Sequence, residues 1–137
     1  MPAQAHNRGL TVVDNNIHLV HLSDKGIGVH YFSVLQAHTQ LSKTALARLL
    51  GIDPGTVDNY LKTKKKFSGE IAEKLLKLHR LFALGEELFG SVGEFQDWLK
   101  LPSPGLEGQV PMSLLHSNTG IDEIEKQLQR IIHGYVA

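Results

Sequence analysis

The stretch from Lys43 to Lys62, KTALARLLGIDPGTVDNYLK, constrains this chain more than any other. Leu46, Leu50, Ile52, Val57 and Tyr60 recur at helical spacing on both sides of a break. Ala47 is small enough for a second helix to cross close above the first. Gly51 stands where the first helix must stop and turn left-handed, a conformation that costs little only for glycine. Asp53 offers an N-terminal cap to the second helix. Pro54 takes its first position, where a missing N–H costs nothing. Small residue, Gly and Asp-Pro in this order form the helix-turn-helix pattern. The alternative is a plain helical hairpin inside a core.

Within the second helix, Val57, Tyr60 and Leu61 are expected to face inward. Thr56, Asn59 and Thr63 then point outward, with Asp58 and Lys62 on the flanks. These side chains suit duplex DNA: Asn pairs with adenine, Asp accepts from cytosine N4, and Thr meets a thymine methyl or a phosphate. Gly55 leaves one such position without a side chain. Lys64, Lys65 and Lys66 follow as candidate phosphate contacts, or as a solvated helix end. The candidate DNA-binding set is therefore Thr56, Asp58, Asn59, Lys62, Lys64, Lys65 and Lys66.

Charge is distributed to match. The 137 residues carry no net charge, but residues 27–66 hold six Lys/Arg against two Asp/Glu, a balance of +4. Residues 67–137 hold six against ten, a balance of −4. A basic half and an acidic half point to two partners, one of them a polyanion. Hydrophobic residues make up 42% of the chain, enough for a core. No apolar run is long enough to cross a membrane, no secretory signal opens the chain, and a cytoplasmic location is expected. The absence of cysteine excludes disulfides and thiol chemistry.

The remaining segments divide the chain into a lead-in at 1–26, a DNA-binding unit at 27–66 and a helical domain at 67–137. In the lead-in, LTVV and IHLVHL read as short strands about Asp14-Asn15-Asn16, or as irregular chain. His18 and His21 have a spacing a metal can use, but no other ligand accompanies them, and no metal or cofactor is expected. Ile27 to Ala37 forms an opening helix with Phe32 and Leu35 facing the core. Phe67 to Gly90 forms a long helix capped by Ser68, with an apolar stripe wide enough to serve two cores or a twin subunit. Ser91 to Glu94 is a capping box opening a short helix to Leu101, with Trp98 as a core anchor. Prolines 102, 104 and 111 shape a rigid turn and start a short helix, Met112 to Ser117. Thr119 and Asp122 form a second capping box for a last helix, which carries Ile121, Ile124, Leu128, Ile131 and Ile132 and stops at Gly134. No nucleophile triad, paired carboxylate or phosphate loop stands out; Gly26-Ile27-Gly28 is too short, and an enzyme is not expected.

The second half carries a denser pattern: Glu86-Glu87-Leu88-Phe89-Gly90, Trp98-Leu99, Pro102-Ser103-Pro104-Gly105-Leu106-Glu107-Gly108-Gln109-Val110-Pro111, Leu114-Leu115, and Arg130-Ile131-Ile132-His133-Gly134. It resembles the toxin-binding domain of Xre/MbcA/ParS-type antitoxins, with Pro102-Ser103 where that family usually has Pro-Asn. The resemblance implies an all-α protein, a helix-turn-helix unit followed by a small toxin-binding domain. It implies an antitoxin that blocks the NAD cleft of a RES-domain toxin, which consumes NAD or transfers its ADP-ribosyl group, and that represses its own operon as a homodimer on operator DNA. It assigns toxin contact to Trp98, Leu101, Pro102, Leu106, Pro111, Leu115, Arg130, His133, Gly134, Tyr135, Val136 and Ala137. The alternative is a stand-alone repressor whose C-terminal domain senses a small ligand.

Overall fold

The computed structural model describes residues 9–134. They form seven α-helices: α1 (Asn16–Lys25), α2 (His30–Thr39), α3 (Lys43–Leu50), α4 (Pro54–Thr63), α5 (Gly69–Phe89), α6 (Val92–Leu99) and α7 (Asn118–Ile132). Two 3-10 turns, Pro104–Leu106 and Pro111–Leu114, lie between α6 and α7. The protein is all-α; one isolated antiparallel bridge joins Ile27 to Phe67. Two compact units divide between Arg80 and Leu81, inside α5.

The N-terminal unit begins with a helix where the sequence suggests short strands or irregular chain. Asn15 is the cause: its side-chain oxygen accepts from the N–H groups of Ile17 and His18 and caps α1. Only Leu19 and Ser23 of α1 are buried, so its apolar stripe is too narrow to read at helical spacing. The helix α2 starts at His30 rather than Ile27, because Ile27 exchanges both backbone hydrogen bonds with Phe67. The same bridge delays α5 to Gly69 and holds Phe67 in the core as extended chain, so the expected helical start at Phe67 does not occur. Phe32 and Leu35 are buried as expected.

In α3 and α4 the punctuation acts locally as its chemistry dictates. Ser42 caps α3, and Gly51 ends it at φ 77°. Asp53 caps α4 through the Gly55 N–H, with Pro54 at the first position. The two helices pack on each other through Leu46, Ala47, Leu50 and Val57, all buried. From α5, Lys74 Nζ donates to the Leu49 carbonyl at 3.1 Å, satisfying one of the orphan acceptors at the end of α3. Burial lowers the pKa of this ammonium, and Glu70 partly offsets the effect.

The segment before α1 is pinned to α5 by two consecutive residues. The Thr11 N–H donates to His79 Nδ1 at 3.0 Å, and His79 Nε2 lies 2.8 Å from the Tyr31 carbonyl. Only one tautomer fits both: a neutral imidazole accepting at Nδ1 and donating from Nε2. Arg80 donates to the Val13 carbonyl and to Asn16 Oδ1.

The C-terminal unit packs residues 81–89 of α5 with α6, the two 3-10 turns and α7. Its centre is aromatic. Phe95 stands edge-on to Phe82 at 5.3 Å, and Phe89, Phe95 and Trp98 lie within 6.0 Å of one another. Phe95 fills space opened by Gly85, where a Cβ would fall 2.5 Å from its ring. Ser91 caps α6 by accepting from the Glu94 N–H, but the helix ends at Leu99 and leaves Leu101 61% exposed. The cap of α7 is Ser117, which accepts from Gly120, and not Thr119. The short helix expected from Met112 to Ser117 is the 3-10 turn Pro111–Leu114, begun one residue earlier by proline's fixed φ.

Candidate partner-binding surfaces

The first surface is the outer side of α4. Gly55, Asp58, Asn59 and Lys62 are exposed, three and four residues apart, opposite buried Val57. The helix is therefore rotated from its expected setting. Leu61, expected inside, is 49% exposed. Thr56, expected to point outward, is half-buried. Leu61 faces solvent despite its apolar side chain, because Tyr60 already closes the core side by packing on Phe67 at 5.0 Å. Asp58 consequently belongs to the exposed face. Thr63 Oγ1 donates to the Asn59 carbonyl at 2.8 Å, which turns the hydroxyl back on its own helix.

The lysines that follow belong to a fixed turn rather than a fraying helix end. Lys64 takes the left-handed cap at φ 58°, and the N–H groups of Lys64 and Lys65 both donate to the Tyr60 carbonyl. Lys65 Nζ lies 5.2 Å from the Tyr60 ring centroid. The next residue but one, Phe67, is locked by the bridge to Ile27. Lys64 and Lys65, with Gly28, Val29, His30 and Leu61, line a shallow cleft of about 200 Å³. Lys62, Lys64 and Lys66 are exposed, and no carboxylate among the described residues pairs with them. Lys43, which the sequence did not single out, donates to both carboxylate oxygens of Asp58, at 2.8 and 3.0 Å.

The second surface lies at the end of α7 and on the loop after α6. Leu101, Pro102, Ile132, His133 and Gly134 are exposed, and Trp98 is half-buried rather than a core anchor. Leu106, Pro111 and Leu115 are interior. Their side chains lie in the core of the unit. Tyr135, Val136 and Ala137 lie outside the described residues.

Arg130 has a structural assignment of its own. Its Nε donates to Gln127 Oε1 at 2.8 Å, and its terminal nitrogen donates to the Gly105 carbonyl at 3.1 Å. Gln127 is fully buried, and a Cβ on Gly105 would run into its amide, so only glycine fits there. The loop is closed internally as well: the Ser103 carbonyl accepts from Leu106 and Gly108, and the Ser103 N–H donates to Gln109. Buried, hydrogen-bonded polar groups of this kind fix one geometry, because any displacement leaves a desolvated group unpaired. Arg130 and Gln127 thus fasten the turn 103–109 to the last helix.

The pattern on this second unit matches a known family. Residues 84–134 match the family described as the antitoxin Xre/MbcA/ParS C-terminal toxin-binding domain. Over that segment the chain is similar to the Xre/MbcA/ParS antitoxins. Relatives named Antitoxin Xre extend the likeness over more of its length. One from Photorhabdus laumondii is 25% identical over 121 residues, 88% of this chain and 82% of the relative. One from Yersinia enterocolitica is 25% identical over 129 residues, 93% and 82% respectively. A third, from Pseudomonas putida, is 25% identical over 80 residues, 58% of this chain and half of the relative's own length. Among the described residues, no helix is long and apolar enough to cross a membrane, and no three ligands gather for a metal.

Proposed function

We propose that this antitoxin neutralises a cognate toxin through its C-terminal unit and represses its own operon through α3 and α4. The observation that carries the first half is the match of residues 84–134 to a toxin-binding domain. The partner is a RES-domain toxin that consumes NAD or transfers its ADP-ribosyl group, and the C-terminal segment blocks its NAD cleft. Exposed Leu101, Pro102, Ile132, His133 and Gly134 form the rim of the contact, and residues 135–137 enter the cleft. Ten Asp/Glu against six Lys/Arg in residues 67–137 complement the positive potential that a dinucleotide site requires.

The second half rests on the exposed face of α4 and the lysines after it. Asn59 and Lys62 face the major groove; Lys64, Lys65 and Lys66 hold phosphates. The antitoxin acts in the cytoplasm as a homodimer on two half-sites.

The deciding experiment is co-expression with the toxin gene beside it, followed by co-purification and an assay of NAD loss. A stable complex with NAD preserved is expected; a chain that neither binds the toxin nor slows NAD loss hands the function to a ligand-sensing repressor. Deleting residues 134–137 should spare folding and abolish protection; full protection by the truncated chain would rule out the plug. For DNA, replacing Lys64, Lys65 and Lys66 with Ala should flatten the salt dependence by up to about three phosphate contacts.

A further inference from the structure

Asp58 is the one carboxylate on α4, and it stands on the exposed face with Gly55, Asn59 and Lys62. Lys62, one turn further on, makes no ion pair with it. Asp58 instead reaches across to Lys43 on α3. Lys43 is the first residue of that helix, after the Ser42 cap, and no acid shares its first turn. A cation at the positive end of a helix is unfavourable by itself. The Asp58 carboxylate offsets both the ammonium and the helix dipole. The two side chains remain 40% and 59% exposed, and an exposed pair of this kind contributes at most about 1 kcal/mol to folding. The fold does not need it.

Its consequence is electrostatic. No carboxylate among the described residues pairs with Lys64 or Lys66, whereas the Lys43 charge is offset by Asp58. A duplex approaching α4 therefore meets a carboxylate on an otherwise basic surface. Where a base presents an amino group, as cytosine N4 or adenine N6 does in the major groove, the carboxylate gains a donor. Where it meets acceptors, it is desolvated beside them and repelled. An element that penalises the wrong partner raises specificity without adding affinity.

We propose that the Lys43–Asp58 pair is a discrimination device: it withholds one positive charge from phosphate contact and sets a carboxylate against any duplex lacking an amino donor at that position. This rests on DNA binding by α3 and α4. The test uses the full chain, a duplex from upstream of its own gene and a random-sequence duplex, with binding measured across a salt series for the wild type, Asp58→Asn, Lys43→Ala and the double variant. Asp58→Asn should raise affinity for the random duplex about tenfold at ~50 mM salt. It should also steepen the slope of log affinity against log salt by about 0.9, one additional phosphate contact. The ratio of upstream to random affinity should fall, and adding Lys43→Ala should remove the gain. Thermal melting of each variant checks that the fold is kept. A wild type that binds DNA while Asp58→Asn changes neither slope nor ratio overturns the proposal alone. A wild type that binds neither duplex overturns DNA binding itself, and the proposal with it.

Discussion

The outer face of α4 and the far end of α7 are built on opposite plans. On α4, the exposed side chains other than Leu61 and Thr63 are charged or amide groups, and the core beneath them is plain: Leu46, Ala47, Leu50 and Val57. Around α7 the exposed groups include the apolar Leu101, Pro102 and Ile132, and the polar contacts that fix the loop run through buried Gln127 and Ser103 and half-buried Arg130. The first plan acts at long range and tolerates small displacements, since a charge is felt across about 8–10 Å at ordinary salt. The second acts by shape, and shape depends on the loop staying where it is. A binding surface made of charge needs a stable helix; one made of apolar shape needs a fastened loop.

The largest expected effect strikes the shape-based unit. Phe95→Ala removes a fully buried ring packed on Phe82, Phe89 and Trp98, and should cost ~3–5 kcal/mol in urea denaturation. Protection against the toxin should fall much further than DNA binding. Equal losses of the two would dissolve the contrast between the units.

Acid should strike the other unit. Burial lowers the pKa of His79 to about 4, with His38 and His30 adding to the effect and the Tyr31 carbonyl opposing it. A histidine with a folded pKa below its unfolded 6.5 takes up its proton more readily when unfolded. Its contribution is complete above pH 6.5, declines as pH falls from 6.5 towards 4, and levels off below. The loss should approach about 3 kcal/mol, seen as hydrogen-exchange protection disappearing first in residues 9–80. His79→Gln should flatten this dependence.

A smaller effect sharpens the account of the loop. Arg130→Ala strips the donors from Gln127 and the Gly105 carbonyl, and should cost roughly 1–3 kcal/mol while weakening toxin binding. Arg130→Lys cannot serve both acceptors with one fork and should recover only part of it. Smallest of all, Lys43→Ala should shift stability by less than about 1 kcal/mol. A larger shift would make the pair a structural staple.

Much of this was open to view along the chain, and what was visible shares a cause. Gly51, Asp53-Pro54 and Ser91 punctuate helices through contacts within four residues, so residue type alone specifies them. The charge division at residue 66 and the run Lys64–Lys66 are properties of composition. The family pattern on the second half is a matter of spacing, and residues 84–134 match that family's toxin-binding domain. Leu106, Pro111 and Leu115 of that pattern are buried.

What the tertiary structure alone decided depends on residues distant in sequence. Whether Leu61 or Tyr60 closes the core side of α4 was settled by Phe67, and Phe67 was drawn out of its expected helix by Ile27, forty residues earlier. Asp58 meets Lys43, fifteen residues away, and passes over Lys62 on its own helix. Arg130 turns to a carbonyl twenty-five residues back. Helix type is fixed by neighbours one turn apart, but the side of a helix that faces solvent is fixed by whatever packs against the other side, and no local pattern carries that partner's identity.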